Sequence, residues 1–566
     1  MYGKENGEWR AYTSSECALR VKLTALGLYA LGVRPGDRVA LIAENSPQWI
    51  IADQAVMSIG AATVPVYTTQ MASQVGFILS DAGVRVCLVS SDQLLQRFRS
   101  VLGMDLMDEV ILFVRPAGRE NIRVLDDVRA LGNDLDRSQP SLYDELRGSV
   151  DAGTAASVIY TSGTTGEPKG VVLTHANMLS NAVDTGSVLE LSEKDTALSY
   201  LPLTHIFERM IISMYLYLGV TIYFSESMDA VPKNLRSVQP TVLTTVPRLL
   251  EKILAGICAK GEELTGVKRS LFAWALRLAR TYDPAGARSL TAMLRRLIAS
   301  VVVFSQWRQA LGGRVRFIIS GGASLAPGLA RVYCAAGMPV LQGYGLTETS
   351  PVLTVNRYHH NKLGSVGQAI PHVTLKVAVD GEILARGPNV MQGFLNAPEQ
   401  TSLVMNEGWF ATGDLGYIDA EGFLFLTDRK KDLIKNSSGK TVAPAPIELR
   451  LQSSAFIEYA ALAGEARKYI TAMIFPNFTM LKKWADGKGL VCASTMELLT
   501  DRVVIELYQG IVDETNASFN TWEQITKFTL IDAELSVATG DITPTLKVRR
   551  RNVTEKYHDR IEAMYT

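Results

Sequence analysis

The sequence predicts an α/β protein with a large N-terminal domain of doubly wound sheets, a small β-barrel subdomain and a small α+β C-terminal domain. Three observations carry this prediction. Short β-branched runs alternate with helical periodicity through the first half of the chain, as in parallel sheets covered by helices. From Ser365 to Phe425 the pattern changes to short β runs punctuated by glycine, which suits a small barrel or β subdomain. The charged stretch Asp428-Arg429-Lys430-Lys431-Asp432 then reads as a linker, and the residues beyond it mix strands and helices. The chain accordingly divides into residues 1–428 and 429–566.

Taken in order, Cys17 to Leu31 has helical periodicity and ends at the turn Gly32-Val33-Arg34-Pro35-Gly36-Asp37. Arg38 to Ile42 is a short buried strand. Asn45-Ser46-Pro47 opens a helix that runs to Met57, with proline tolerated in its first turn. Ala62 to Val66, Val84 to Val89 and Val110 to Val114 are further strands. Ala156 to Tyr160 and Val171 to Thr174 flank a glycine-rich loop. The alternation resumes with strand candidates at Ala197 to Leu201, Val220 to Phe224, Val242 to Val246 and Arg316 to Ser320. The uncharged run Met210 to Phe224 falls short of the roughly 20 residues a membrane span needs. It reads as a buried helix followed by a strand. Thr374 to Ala378 and Ala472 to Phe475 are strands of the later regions.

Composition sets limits on function. The 566 residues are 47% hydrophobic and 20% charged, as in an ordinary soluble protein with a large core. Its 57 basic and 57 acidic side chains leave no overall bias toward nucleic acid. Five scattered cysteines, none in C-x-x-C spacing, argue against a disulfide framework and against zinc, and suit a reducing, cytoplasmic compartment. The polar N-terminus is not a signal peptide.

The residues that carry chemistry begin at Tyr160-Thr161-Ser162-Gly163-Thr164-Thr165-Gly166-Glu167-Pro168-Lys169-Gly170. Such a loop can turn backbone N–H groups inward, add hydroxyl donors and offer one cation, which makes a cradle for phosphates. By itself it is equally a hairpin loop between two strands. A Walker A motif is disfavoured, because Pro168 precedes Lys169 and a β-branched run, not a helix, follows. Ser320-Gly321-Gly322-Ala323 follows a strand, where paired glycines let a flat ring lie against backbone or simply make a turn. Gln342-Gly343-Tyr344-Gly345-Leu346-Thr347-Glu348-Thr349 combines an aromatic ring for stacking, a hydroxyl for a phosphate and a carboxylate that could hold Mg²⁺. In Thr412-Gly413-Asp414 an acid after a tight turn can accept hydrogen bonds from ribose hydroxyls. Lys547, in a run near the C-terminus, can stabilise charge developing at phosphorus.

One segment stands apart. Lys268 to Arg316 holds ten Lys/Arg and a single acid, Asp283, with Leu271, Trp274, Ala275 and Leu278 on one helical face. It reads either as a peripheral contact with anionic lipid or an entry for an amphiphilic substrate. The simpler reading, which we favour, is a helix pair packed on the core with its basic face solvated.

Together the ordered set Tyr-Thr-Ser-Gly-Thr-Thr-Gly-x-Pro-Lys-Gly, Tyr-Gly-Leu-Thr-Glu, Thr-Gly-Asp, Asp-Arg-Lys-Lys-Asp and a late lysine closely resembles the adenylate-forming superfamily over nearly the whole chain. Leu201-Pro202-Leu203-Thr204-His205-Ile206-Phe207-Glu208-Arg209, Val246-Pro247-Arg248-Leu249-Leu250-Glu251-Lys252-Ile253, Thr543-Pro544-Thr545-Leu546-Lys547 and a helical insertion near residues 255–310 make it similar to bacterial long-chain fatty acyl-CoA synthetases. Members usually carry a longer N-terminal segment, and at Lys435-Asn436-Ser437-Ser438-Gly439-Lys440 they more often have a Gly-Gly pair.

The resemblance implies a chemistry and assigns roles. A fatty acid, ATP and Mg²⁺ would give acyl-AMP and pyrophosphate, and coenzyme A would then take the acyl group. Thr161, Ser162, Gly163, Thr164, Thr165, Gly166 and Lys169 would grip the β- and γ-phosphates. Gly322, Ala323, Gln342, Gly343 and Tyr344 would form the adenine pocket, and Asp414 and Arg429 would bind the ribose. Thr347 would contact the α-phosphate, and Glu348 with Thr161 would hold Mg²⁺. Lys547 would bridge the carboxylate and the α-phosphate. His205 would sit beside the acyl carboxylate; the alternative is a core histidine with its bonds satisfied. Lys431 matches the hinge about which the small C-terminal domain moves between half-reactions. The alternatives are a fatty acyl-AMP ligase that passes the acyl group to a carrier protein, and a non-catalytic nucleotide- or lipid-binding protein. Residence would be cytoplasmic, peripheral to the inner face of the membrane if the basic segment binds lipid.

Overall fold

The computed structural model describes residues 1–103, 107–161, 168–284, 289–437, 440–490, 494–536, 539–542 and 548–566. Two large sheets organise the first two thirds of the chain. One has seven strands in the order Gly393–Phe394, Lys169–Thr174, Ala155–Thr161, Ala62–Pro65, Arg38–Ile42, Val86–Val89 and Glu109–Leu112. The other has nine, in the order Gln368–Ala369, Val352–Val355, Val340–Gly345, Phe317–Ser320, Val242–Thr245, Thr196–Ser199, Thr221–Phe224, Tyr2–Glu5 and Glu8–Ala11. The strands at the centre of each are parallel, as the alternation predicts.

Parallel strands covered on both faces read as continuous apolar runs. In Arg38–Ile42, Val39 and Leu41 enter one core, whereas Ala40 and Ile42 enter another with Val64 and Val75. The first core joins both sheets. Trp49 and Ile50 of the helix Pro47–Ser58, and Met210, Ile211 and Met214 of the helix Ile206–Leu218, pack there with Leu198, Ile222 and Val242. These two helices are also tied by a buried ion pair. Arg209 Nε donates to Asp53 at 2.9 Å and its Nη1 to Ser157 Oγ at 2.6 Å.

The hairpin Tyr2–Glu5 and Glu8–Ala11 extends the nine-stranded sheet and has no counterpart in the sequence reading. Its strands are short and charged, so no apolar alternation marks them. The available signal is Asn6-Gly7, both left-handed (φ 51° and 85°), the dipeptide of a two-residue hairpin turn. Tyr2 stacks on Tyr223 with centroids 4.3 Å apart.

Residues 374–429 form the expected β subdomain, a five-stranded antiparallel sheet centred on Trp409–Ile418. Beyond it, Ile457–Ala463, Ile470–Pro476 and Ile525–Leu530 make a three-stranded sheet with a separate core on each face. The basic segment departs from the favoured reading. Its first helix, Gly266–Arg280, does pack on the core through Ala275 and Ala279. Its second, Leu290–Ala299, turns its leucines to solvent. The inward side is held instead by Arg296, whose guanidinium donates to the carbonyls of Ala335 (3.2 Å) and Cys334 (3.4 Å).

Candidate active site

The motif-bearing segments converge because their neighbours share one small apolar cluster. Ile159, Val171, Leu173, Ile206, Val390, Met391 and Phe410 are packed together, with Leu346 against them. All but Val390 and Met391 lie within four residues of a predicted site residue. The glycine-rich loop closes an antiparallel hairpin: Thr161 pairs with Lys169, and Lys169 opens the strand Lys169–Thr174. This geometry is not that of a P-loop, whose lysine opens a helix. Lys169 Nζ lies 5.4 Å from the Phe394 ring centroid. Ser162, Gly163, Thr164, Thr165 and Gly166 lie outside the described residues, as does Lys547. The ends of the segment carrying Lys547 are described: Ile542 bridges Val548, and Arg549 N donates to Asp541 O at 2.8 Å.

The strand Phe317–Ser320 pairs with Val340–Gly345, Ser320 opposite Gln342, so Gly322 and Ala323 emerge beside Gln342, Gly343 and Tyr344. Gly322 is left-handed (φ 78°), which a side chain would strain. At Gly345 a Cβ would lie 1.6 Å from the Pro351 carbonyl oxygen, so only glycine permits this approach. The turn Thr347–Thr349 follows and packs against Lys169–Thr174, which brings Thr347 and Glu348 to the glycine-rich hairpin.

Tyr344, Asp414 and Arg429 are directly bonded. The Tyr344 hydroxyl donates to Asp414 Oδ2 at 2.7 Å, and Arg429 Nε pairs with Asp414 Oδ1 at 2.9 Å. Asp414 and Arg429 are cross-strand partners in the β subdomain, so sheet register sets their meeting. Burial, and next the Asp414 charge, push the Tyr344 hydroxyl well above its ordinary pKa, so it stays a donor. Burial also raises the Glu348 carboxyl above 4.5, opposed by hydrogen bonding to backbone and by the Arg429 and Lys431 charges. Lys431, in turn, is lowered by burial and by Arg429, while Asp432, Asp414 and Glu348 favour its charge. Two cations, Arg429 and Lys431, and three carboxylates, Glu348, Asp414 and Asp432, therefore act on one another at the start of the C-terminal segment.

His205 caps the helix Ile206–Leu218. Its Nδ1 accepts from Phe207 N at 3.2 Å. The Phe207 ring lies where a Cβ on Gly321 would meet it at 2.8 Å, so this helix start abuts the Gly321-Gly322 turn. Sequence reasoning assigned no role to Glu208. It is buried, accepts from Ser199 Oγ at 2.6 Å, and its carboxyl is pushed up to about 8 by burial. Its second oxygen has no partner among the described residues. Only an acid within an apolar helix hinted at this.

The AMP-binding enzyme model matches residues 2–395, and the AMP-binding enzyme C-terminal domain model matches residues 431–566. The long-chain-fatty-acid–CoA ligase FadD15 of Mycobacterium bovis is 33% identical over 99% of this chain and 93% of its own. Long chain acyl-CoA synthetase 8 of Arabidopsis thaliana is 28% identical over 99% and 83%. Among solved structures, the anthranilate CoA ligase AuaEII with anthranoyl-AMP has a TM-score of 0.73 at 19% identity, covering 98% of this chain and 93% of that one. O-succinylbenzoate coenzyme A synthetase (MenE) from Bacillus subtilis, with ATP and magnesium, has a TM-score of 0.66 at 22% identity, covering 96% and 94%. At such identities these structures bear on the fold: a large N-terminal and a smaller C-terminal α/β domain. With one model spanning most of its length and a relative one-third identical over nearly all of it, the chain belongs to the AMP-binding enzyme family.

Proposed function

We propose that this chain is an ATP-dependent long-chain fatty-acid–CoA ligase. It forms acyl-AMP and pyrophosphate, then passes the acyl group to coenzyme A and releases AMP. The carrying observation is the bonded set Tyr344, Asp414 and Arg429 beside Glu348 and the Thr161–Lys169 hairpin. The acyl class and the acceptor are supported by the relatives, which are named long-chain ligases and synthetases of CoA.

A carboxylate is a poor acyl donor because oxide is a poor leaving group. In the first step a carboxylate oxygen bonds to the α-phosphorus as the bond to pyrophosphate breaks. In the second the thiol sulfur bonds to the acyl carbon, and AMP leaves with the bridging oxygen. The protein positions reactants and offsets phosphate charge. Thr161 to Lys169 hold the β- and γ-phosphates. Gly322, Ala323, Gln342, Gly343 and Tyr344 surround adenine, and Asp414 with Arg429 takes the ribose. Thr347 meets the α-phosphate, His205 lies beside the acyl carboxylate, and Lys547 bridges carboxylate and phosphate. The Glu348 carboxylate and the Thr161 hydroxyl fit Mg²⁺, being hard oxygen donors, and a cation there offsets the burial that raises the Glu348 pKa. When bound, that ion neutralises phosphate charge.

Residues 1–428 and 429–566 act as separate bodies, with Lys431 as the hinge between half-reactions. Support comes from the separate cores beyond residue 434 and from the position of Lys431 beside Glu348 and Asp414. A peripheral contact with the membrane delivers the acyl substrate.

The test is a panel of fatty acids from short to very long, scored for AMP release with and without CoA. CoA-dependent release rising with chain length is expected. Release that follows a phosphopantetheinylated carrier protein and ignores CoA would overturn the ligase reading.

A further inference from the structure

Residues 290–310 run without a break as the helix Leu290–Ala299, a π-helical turn Ser300–Phe304 and the helix Ser305–Ala310. At helical spacing Leu290, Leu294, Leu297 and Val301 share one face, flanked by Met293 and Ile298. That face is exposed: Leu290 84%, Leu294 59%, Leu297 62%, Val301 69%. It is not a core face left uncovered, because the opposite side makes the contacts. Arg296 bonds the Cys334 and Ala335 carbonyls, Ala299 is buried, and after the π turn Val303, Phe304 and Trp307 point inward. An outward apolar stripe of this size marks an interaction surface.

Charge indicates the occupant. Lys268, Arg269, Arg280, Arg295 and Arg314 are exposed in this region, and none forms an ion pair among the described residues. The same continuous helix ends at a pocket of about 350 Å³, where Arg236 and Lys260 face Gln306, Gln309 and Gln239. Two cations with amide donors suit a phosphate group. Exposed apolar side chains on a helix that also carries the unpaired Arg295, in a segment rich in further unpaired cations, are the composition of an element lying in a lipid interface. No helix among the described residues is long and apolar enough to cross a membrane.

We infer that residues 290–302 seat this chain on an anionic lipid bilayer, with the Arg236–Lys260 pocket receiving a lipid phosphate. This names the surface for the membrane contact proposed above and rests on that reading, not on the ligase chemistry. Arg296 hangs the stripe on the helix Pro327–Ala335, the element between the Gly322 turn and the strand Val340–Gly345. The docking face is thus one helix away from the nucleotide segments.

The test is vesicle flotation of the full chain with phosphatidylcholine alone and mixed with phosphatidylglycerol. Wild type should float with the anionic vesicles. The variant Leu294→Ser, Leu297→Ser, Val301→Ser should lose about tenfold in binding or more, with an unchanged melting temperature, since all three side chains are exposed. The variant Arg236→Glu, Lys260→Glu, Arg295→Glu should lose the preference for anionic lipid. Turnover of a short, water-soluble acid should be unaltered in both. Absence of wild-type flotation, or equal flotation of all three proteins, would overturn the inference. So would a wild-type dimer that ignores vesicles and is dissolved by the serine variant, because a second copy would then cover the stripe. Flotation with no fatty-acid-dependent AMP release would leave this surface standing and remove the ligase reading.

Discussion

Asp414→Asn tests the centre of the proposed nucleotide site. Asp414 is buried, 4% exposed, and its two oxygens are used by the Tyr344 hydroxyl at 2.7 Å and Arg429 Nε at 2.9 Å. Asparagine keeps the shape but removes the charge and exchanges one acceptor for a donor. The amide oxygen can keep only one of these partners, and the amide N–H faces either the Arg429 guanidinium or the Tyr344 hydroxyl. A hydrogen bond to a charged group contributes about 1.5–3 kcal/mol, so loss of one weakens nucleotide binding about 10- to 150-fold. The assay is calorimetric titration of wild type and variant with ATP and with its 2′-deoxy and 3′-deoxy analogues. Wild type should bind at least one analogue more weakly than ATP, and the variant should bind ATP and that analogue alike. If the variant instead loses the same factor for ATP and both analogues, Asp414 only orders its neighbours and the ribose role is refuted.

Four further outcomes are expected. Lys547→Ala should slow fatty-acid-dependent pyrophosphate exchange by orders of magnitude with ATP affinity nearly intact, because its interaction develops in the transition state; near-normal exchange would remove that role. Lys431→Pro should slow thioester formation far more than adenylate formation, and equal loss in both would sink the hinge. Asp53→Asn leaves Arg209, only 1% exposed, without its counter-charge and should cost about 3–5 kcal/mol in denaturant unfolding. A loss below about 1 kcal/mol would show the pair to be dispensable. Finally, burial holds the Glu208 carboxyl at about 8 when its ordinary value is 4.5. Between those values the folded chain keeps a proton that the unfolded chain releases, so stability falls as pH rises through the window. Glu208→Gln should flatten the melting temperature there; parallel profiles for the two proteins would contradict a neutral Glu208.

Much of the architecture was legible because parallel strands buried on both faces read as unbroken apolar runs. Arg38 to Ile42 was located to the residue for that reason. The hairpin Tyr2–Glu5 and Glu8–Ala11 escaped, since its strands carry charges and only Asn6-Gly7 announces the turn. The direction of the helix Leu290–Ala299 was illegible for a different cause. Periodicity reveals that a helix has an apolar face but not whether that face looks at the core or at solvent. Arg296 settles it by reaching carbonyls on a helix whose distance in sequence hides the contact.

By itself the sequence determined the residue types and their order: a hydroxyl- and glycine-rich loop with Lys169, an aromatic and an acid at Tyr344 and Glu348, and Asp414 and Arg429 beyond them. These are local statements, carried by spacing along the chain. Only the tertiary structure decided which of them meet. Sheet register sets Asp414 opposite Arg429, the pairing of Ser320 with Gln342 sets Gly322 beside Tyr344, and one apolar cluster seats Leu346, Ile206 and the hairpin strands together. Such contacts join residues tens to hundreds of positions apart. They follow from burying apolar faces against one another, a condition on the whole chain that no short stretch encodes.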